Sequence, residues 1–143
     1  MIKEFLHVGI SVKDLEESVK FYTEVMHMDL DYRTKYKGDI ISQIVDVEDA
    51  DLDVAVVLKS NLRIELLDYK NAEKKKNATY PAQDHPGLVH ISFLVDDVDK
   101  EYARIKSLGF EFNSLPMVAR KNGPKVTYFK GPDNVVIEIY ERA

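Results

Sequence analysis

The chain has 143 residues, of which 45% are apolar, carries a formal net charge of −5 at pH 7 and contains no cysteine. This length suffices for one domain with a buried core, and the negative charge argues against a nucleic-acid partner. The lack of cysteine excludes disulfides and thiolate metal ligands. We recognise no signal peptide and no apolar stretch long enough to span a bilayer, so we expect a cytoplasmic protein without a membrane partner.

The first half of the chain predicts a strand, a helix and then further strands. Asp14 follows the first strand and is placed to cap the helix, with Glu17 three residues on completing a capping box. The apolar residues of this helix recur at helical spacing, and we expect it to end near residues 27–28. The predicted strands are residues 4–12, 30–36, 40–47, 53–59 and 61–69.

The second half repeats this plan after a lysine- and proline-rich stretch, residues 71–87, which predicts a solvated loop. Asp97 is the matching helix cap, Val98 and Leu108 begin and end the buried stripe of the helix, and Gly109 is its C-terminal stop. Residues 131–134 predict a hairpin turn. The predicted strands are residues 88–95, 110–114, 125–130 and 134–141.

We therefore predict an α+β fold in a single domain, residues 1–143. Two βαβββ modules, residues 1–70 and 88–143, are joined by the loop 71–87. The modules are expected to pair into a curved sheet, with helices on the outer face and a concave inner face.

The repeat carries a histidine and a glutamate in matching places. His7 and His90 each lie in the first strand of a module, separated by 90 − 7 = 83 residues. Glu65 and Glu138 each lie in the last strand, separated by 138 − 65 = 73 residues. A shared register over a strand and a helix indicates a duplicated module.

Strand alternation places these four residues on the same face of each module. Side chains alternate sides along a strand, and the neighbours of His7, namely Leu6 and Val8, are apolar and should pack under the helix. The same alternation places His90, Glu65 and Glu138 on the face opposite the apolar residues that flank them. All four are then expected to project into the concave space, where His27 and His85 are expected to play no part.

Two carboxylates in a partly desolvated space repel each other, and a divalent cation resolves both the repulsion and the cost of desolvation. Two imidazoles and two carboxylates suit a borderline first-row ion. Four protein ligands leave coordination positions open, which favours a catalytic site over a structural one. The sequence therefore predicts one divalent metal ion per site, bound by His7, Glu65, His90 and Glu138.

Four motifs carry a family resemblance: His7-Val-Gly-Ile-Ser-Val with Asp14, Phe21-Tyr-Thr-Glu-Val, His90-Ile-Ser-Phe-Leu-Val-Asp-Asp, and Gly131-Pro-Asp-Asn leading to Ile137-Glu138. With these motifs the chain resembles the vicinal oxygen chelate superfamily, which includes glyoxalase I, methylmalonyl-CoA epimerase, extradiol dioxygenases and the bleomycin- and fosfomycin-resistance proteins. The resemblance implies paired βαβββ modules, the same four ligands, and a metal (Zn, Ni, Co, Mn, Fe or Mg) that holds two neighbouring substrate oxygens and stabilises an enolate.

Departures from glyoxalase I favour another isomerase or lyase acting on a small-molecule substrate. Ser11 stands where the small bacterial glyoxalases I have an arginine that helps to bind glutathione. Asp68 and Tyr69 occupy a stretch where those enzymes tend to have an asparagine. We predict proton transfer next to a carbonyl, with Glu138 or Glu65 as the base. Glu48 matches the catalytic glutamate of methylmalonyl-CoA epimerase and is a predicted second base.

Two alternatives remain open from the sequence. One is a non-catalytic protein that sequesters an antibiotic or another small molecule, and the other is a small extradiol-type dioxygenase. Open sheet edges on each module also predict a homodimer. The site could then form within one chain or across the dimer.

Overall fold

Each half of the chain builds its own four-stranded mixed sheet in this computed structural model, which describes residues 3–70, 82–84, 86–118 and 120–143. The chain divides into two units, Met1–Ala78 and Thr79–Ala143. The α+β class and the repeated βαβββ order are confirmed. Most of the predicted loop 71–87 lies outside the described residues. The single domain and the pairing of the modules into one curved sheet stay predictions.

In the first unit the first and last strands lie side by side. The sheet order is β1-β4-β3-β2, with β1 parallel to β4 and the other neighbours antiparallel. The elements are β1 (Val8–Ser11), α1 (Leu15–Lys20), a π-helical turn (Phe21–Val25), β2 (Asp29–Lys37), α2 (Asp39–Val45), β3 (Asp51–Lys59) and β4 (Leu62–Tyr69).

The second unit has the same topology in a shorter form. Its sheet order is β5-β8-β7-β6, with β5 parallel to β8. Gly109 follows the helix with a φ of +95° and so ends it, as predicted. The elements are β5 (Ile91–Leu94), α3 (Val98–Ser107), β6 (Met117–Val118), β7 (Lys125–Lys130) and β8 (Val136–Glu141).

The predicted strand 40–47 is wrong, because residues 40–45 belong to helix α2 and residues 46 and 47 lie outside any strand. Their β-branched side chains favour a strand, but Ile41 and Val45 lie one helical turn apart and together pack against a buried cluster at the start of β3. That cluster consists of Ala50, Leu52 and Val54.

Two further predictions in the second unit are wrong. Residues 110–114 form no strand; Phe112 makes only an isolated bridge to Phe129, and the strand that pairs with β7 is β6. Leu108 is exposed rather than part of the buried stripe of α3, because the helix has already ended at Ser107. In the first unit Leu6 is likewise exposed, since it precedes the paired part of β1.

Helix α1 covers one face of the first sheet and leaves Glu65 on the other. Arg33 of β2 donates from Nη2 to Glu16 Oε2 of α1 at 2.9 Å. Arg33 is paired with Ala55, and Ala55 with Leu66, so these three share the face under α1. Glu65 precedes Leu66 in β4 and therefore points to the opposite face.

Both predicted helix caps are confirmed. The side chain of Asp14 accepts from the backbone N–H of Glu17 at 2.9 Å, and that of Asp97 accepts from Lys100 N–H at 3.0 Å. Among the described residues, no helix is both long and apolar enough to cross a membrane.

Loss of the Asp97 cap of α3 is expected to lower the free energy of unfolding by a measurable amount. Asp97→Ala should lower the free energy of unfolding by about 1 kcal/mol, because one of the unpaired N–H groups of α3 loses its acceptor. Asp97→Asn retains an acceptor at the same position and is expected to stay closer to the parent protein. Urea denaturation compares the two variants, and equal losses in both would assign the effect to the ion pair with Lys100.

Candidate metal centre

The parallel pairing of β1 and β4 brings His7 beside Glu65. Gly9 of β1 is aligned with Glu65 of β4, and His7 lies two residues earlier on the same side of the chain. The distance from His7 Nε2 to Glu65 Oε2 is 3.4 Å. The two side chains are 36% and 22% exposed, so the pair lies at the accessible surface of its unit.

The second unit builds the same pair in the same way. Ser92 of β5 is aligned with Glu138 of β8, and His90 lies two residues before Ser92. His90 Nε2 lies 3.8 Å from Glu138 Oε2, and Glu138 is the more buried of the two, with 12% of its side chain exposed. The repeat in the sequence therefore corresponds to the same His–Glu arrangement in each unit.

Gln83 orients the His90 ring. Gln83 Nε2 donates to the carbonyl of Val89 at 2.8 Å, so its amide oxygen is turned towards His90 Nδ1, at 2.9 Å. An amide oxygen only accepts, so Nδ1 must carry the hydrogen. Nε2 is therefore the ring nitrogen left to bind a metal, with Nδ1 held by a second group as in many metal-binding histidines.

Tyr128 holds the carboxylate of Glu138. Its hydroxyl donates to Glu138 Oε1, and its ring packs edge-on to His90 with the centroids 5.4 Å apart. Burial, and then the hydrogen bond to Glu138, raises the pKa of Tyr128 to about 12, so the hydroxyl is a donor at neutral pH. No motif in the sequence singles out Tyr128, although the predicted turn 131–134 sets a hairpin register that aligns Tyr128 with Glu138.

The two pairs fit a divalent cation. Ligands about 2.0–2.2 Å from a tetrahedral or octahedral ion lie roughly 2.8–3.6 Å apart. The 3.4 Å of the first pair falls in this range and the 3.8 Å of the second lies just above it. In each pair a ring nitrogen and a carboxylate oxygen lie close enough together for one divalent cation to contact both.

Each unit supplies two donors rather than a full coordination shell. Across the part of the chain that the structure describes, no group of three or more His, Asp or Glu side chains is placed to hold a metal ion. Binding by all four predicted ligands therefore stays a prediction. The structure brings together His7 with Glu65, and His90 with Glu138.

Three of the remaining predicted residues lie elsewhere in the first unit. Glu48 is exposed in the turn between α2 and β3, and its catalytic role stays a prediction. Asp68 is three residues from Glu65 and so lies on the α1 face, where Lys70 Nζ donates to it at 2.8 Å. His27 follows the π-helical turn, and His85 lies outside the described residues.

A charged cleft of about 410 Å³ lies on the α1 face of the first sheet, on the far side from Glu65. Its lining includes Arg33, Asp53, Asp68 and Lys70. Lys70 and then Lys35 hold the pKa of the Asp53 carboxyl below its usual value, and the cations and anions of the cleft are largely paired with one another. The cleft is thus a network of ion pairs, separate from the His–Glu pair.

Comparison with known proteins identifies a family. A model described as the glyoxalase/bleomycin resistance protein/dioxygenase superfamily matches residues 4–139. The uncharacterized protein YwbC of Bacillus subtilis is 29% identical over 143 residues, covering 99% of this chain and 100% of that protein. Lactoylglutathione lyase of Schizosaccharomyces pombe is also 29% identical over 96% of this chain, which spans 47% of that enzyme.

Solved structures show the same fold. A glyoxalase family protein from Bacillus cereus superposes with a TM-score of 0.87 at 19% identity, covering 99% of this chain and 95% of that one. The fosfomycin resistance protein FosX of Listeria monocytogenes, complexed with Mn(II) and sulfate, gives a TM-score of 0.64 at 21% identity, covering 100% and 95%.

Proposed function

We propose that this chain, which belongs to the glyoxalase/bleomycin resistance protein/dioxygenase superfamily, is a divalent-metal-dependent lyase or isomerase that moves a proton next to a carbonyl of a small metabolite. The observation that carries the proposal is the recurrence of one His–Glu pair in each unit, with Nε2 to oxygen distances of 3.4 and 3.8 Å. Both copies of the duplicated module retain the same His–Glu pair, which supports a functional role for the pair.

We assign His7, Glu65, His90 and Glu138 as the ligands of one metal ion, with the two pairs supplied by one chain or by two copies in a homodimer. The bound ion would supply Lewis-acid polarisation of a substrate carbonyl, which makes the neighbouring C–H bond more acidic. FosX, a member of the same fold, was crystallised with Mn(II), which supports a divalent ion in such a site.

The protein's own carboxylates then move the proton. Glu65 or Glu138 accepts the proton as the C–H bond breaks, and the electron pair of that bond moves to the carbonyl oxygen. Return of the proton to the same carbon from the other side gives an epimer, and return to the neighbouring carbon gives an isomer. Glu48 is the further base that an epimerase would need on the second face of the substrate.

The similarity to lactoylglutathione lyase supports chemistry of this type, while Ser11 in place of an arginine speaks against glutathione as part of the substrate. Sequestration of a drug gives no role to the two His–Glu pairs. An extradiol dioxygenase needs two histidines and one glutamate, so a fourth protein ligand would occupy a position that oxygen or substrate requires.

The test measures metal uptake and proton exchange together. We expect purified protein, stripped with a chelator, to rebind one Mn²⁺, Ni²⁺ or Zn²⁺ per site by calorimetry. We also expect it to exchange the α-proton of a substrate in heavy water only when metal is bound. The panel should include the hemithioacetal of methylglyoxal and glutathione, a methylmalonyl thioester and a cyclic keto-sugar.

The alternatives give different results in the same assays. Protein that takes up no metal, and that binds a drug equally well after His7→Ala and His90→Ala, is a sequestering protein. Oxygen consumption with catechols identifies a dioxygenase. Either outcome contradicts the proposed proton transfer.

A further inference from the structure

Helix α2 has no counterpart in the second unit. In the first unit residues 38–50 join β2 to β3 and include α2, whereas the matching connection from β6 to β7 spans residues 119–124, of which 120–124 form bends, turns and irregular backbone. Both units nevertheless have the same sheet order. The module therefore closes its sheet without this helix, and the topology alone gives no role to the outer surface of α2.

The apolar side chains of α2 occupy two adjacent faces of the helix. Ile41 and Val45 pack against the buried cluster at the start of β3. Ile40 and Ile44 each precede one of these residues, about 100° around the helix, and are 78% and 73% exposed. Single exposed apolar residues are common, but two of them one helical turn apart form a continuous apolar strip. Burial of this strip by a partner would stabilise a complex.

Exposed carboxylates flank the apolar strip. Asp39 begins α2, Asp46 is its C-cap, and Asp49 lies in the turn that follows. Within the part of the chain that the structure describes, none of the three forms an ion pair with a lysine or an arginine. The next carboxylate along the chain, Asp51, is by contrast paired with Lys37 at 2.6 Å. The strip therefore carries uncompensated negative charge at both ends.

The position of Asp46 favours a cation from outside. The last carbonyl groups of a helix carry partial negative charge, so a cation is stabilising there and a carboxylate is not. The last turn of α2 contains no basic residue, and Asp46 adopts a left-handed conformation with a φ of +53°. A lysine or arginine from another molecule could pair with the carboxylate and bind the terminal carbonyl groups at the same time.

We infer that the α2 patch is a docking surface for a basic segment of a partner protein. The patch consists of Ile40, Ile44, Asp39, Asp46 and Asp49. Apolar side chains of the partner cover the two isoleucines, and its lysine or arginine side chains pair with the aspartates. The apolar contact supplies affinity, and the charges orient the partner and reject acidic segments. Docking on α2 does not depend on a bound metal.

The apolar half of the patch is tested with a synthetic amphipathic peptide that has leucine and lysine at helical spacing, labelled for fluorescence anisotropy. We expect it to bind the full chain, and we expect a peptide with glutamate in place of each lysine not to bind. Ile40→Ser combined with Ile44→Ser should weaken binding at least about tenfold. Leu115→Ser is the control, because it removes a side chain that is 66% exposed in the second unit and should leave the affinity unchanged.

The acidic half is tested by Asp46→Asn combined with Asp49→Asn. This variant should also weaken binding about tenfold at low ionic strength, and its affinity should depend less on salt than that of the parent protein. Glu24→Gln combined with Glu111→Gln changes the net charge equally at exposed positions outside the patch and should have little effect. All variants should keep the circular dichroism spectrum of the parent protein, because they alter exposed side chains.

The inference is overturned if the lysine peptide does not bind, or if it binds both α2 double variants as tightly as the parent protein. Two other occupants would also overturn it. A dimer in sedimentation equilibrium that dissociates on replacement of Ile40 and Ile44 identifies a second copy of the chain. Peptide binding that strengthens when Lys74, Lys75 and Lys76, outside the described residues, are replaced by glutamine identifies the chain's own lysines. None of these results bears on the proposed function.

Discussion

Replacement of His90 by alanine is expected to weaken divalent-metal binding by roughly a hundredfold or more, since loss of a partner that merely orients a ligand already costs 10- to 100-fold. Gln83 holds Nδ1 of His90, so Nε2 is the ring nitrogen left to bind a metal. Nε2 lies 3.8 Å from Glu138 Oε2. Removing the ring leaves Glu138 and Tyr128 paired with each other and removes one of the four proposed ligands.

The matched control is His27→Ala, which removes an exposed imidazole outside either pair. It should bind metal as the parent protein does. Both variants should keep the circular dichroism spectrum of the parent protein, because His90 is not part of the buried core. Equal metal affinity in His90→Ala and His27→Ala would exclude His90 as a ligand.

The second large effect is expected at Ile64, the buried residue next to Glu65 in β4. Ile64 of β4 is fully buried, and Ile64→Ala is expected to lower the free energy of unfolding by about 2–5 kcal/mol through lost burial and the cavity left behind. Ile64 immediately precedes Glu65, so a loosened β4 should also weaken metal binding. Urea denaturation measures the first effect, and a metal titration measures the second.

Ile40→Ala provides the control, because it makes the same chemical change in the same unit at a side chain that is 78% exposed on α2. We expect a change within about 0.5 kcal/mol. A loss of stability at Ile40 as large as that at Ile64 would show that the exposed face of α2 is covered by another surface in solution.

The fold was largely predictable because its local signals agree with one another. The carboxylates of Asp14 and Asp97 precede apolar stripes at helical spacing, and both cap helices. That each histidine and glutamate faces away from the helix was predictable from strand alternation, whereas their closeness depends on the parallel pairing of the first and last strands. The register of β7 against β8 also follows from the turn 131–134, so the position of Tyr128 opposite Glu138 could have been derived.

Other features depend on tertiary contacts that the sequence pattern does not reveal. Residues 39–45 contain β-branched residues that favour a strand, yet they form a helix whose Ile41 and Val45 pack on the cluster of Ala50, Leu52 and Val54. Gln83 lies outside any regular element, and its role depends on the position of the Val89 carbonyl. No periodicity in the sequence marks such a residue.

The parallel pairing of first and last strands also determines when metal binding becomes available during folding. The donors of one pair are 65 − 7 = 58 residues apart and those of the other 138 − 90 = 48 apart, so the loops that must close are nearly as long as the modules themselves. An unfolded chain rarely holds either pair together. Under the proposed function, metal therefore selects chains in which both modules are complete, and at a hundred times its dissociation constant it stabilises them by about 2.7 kcal/mol.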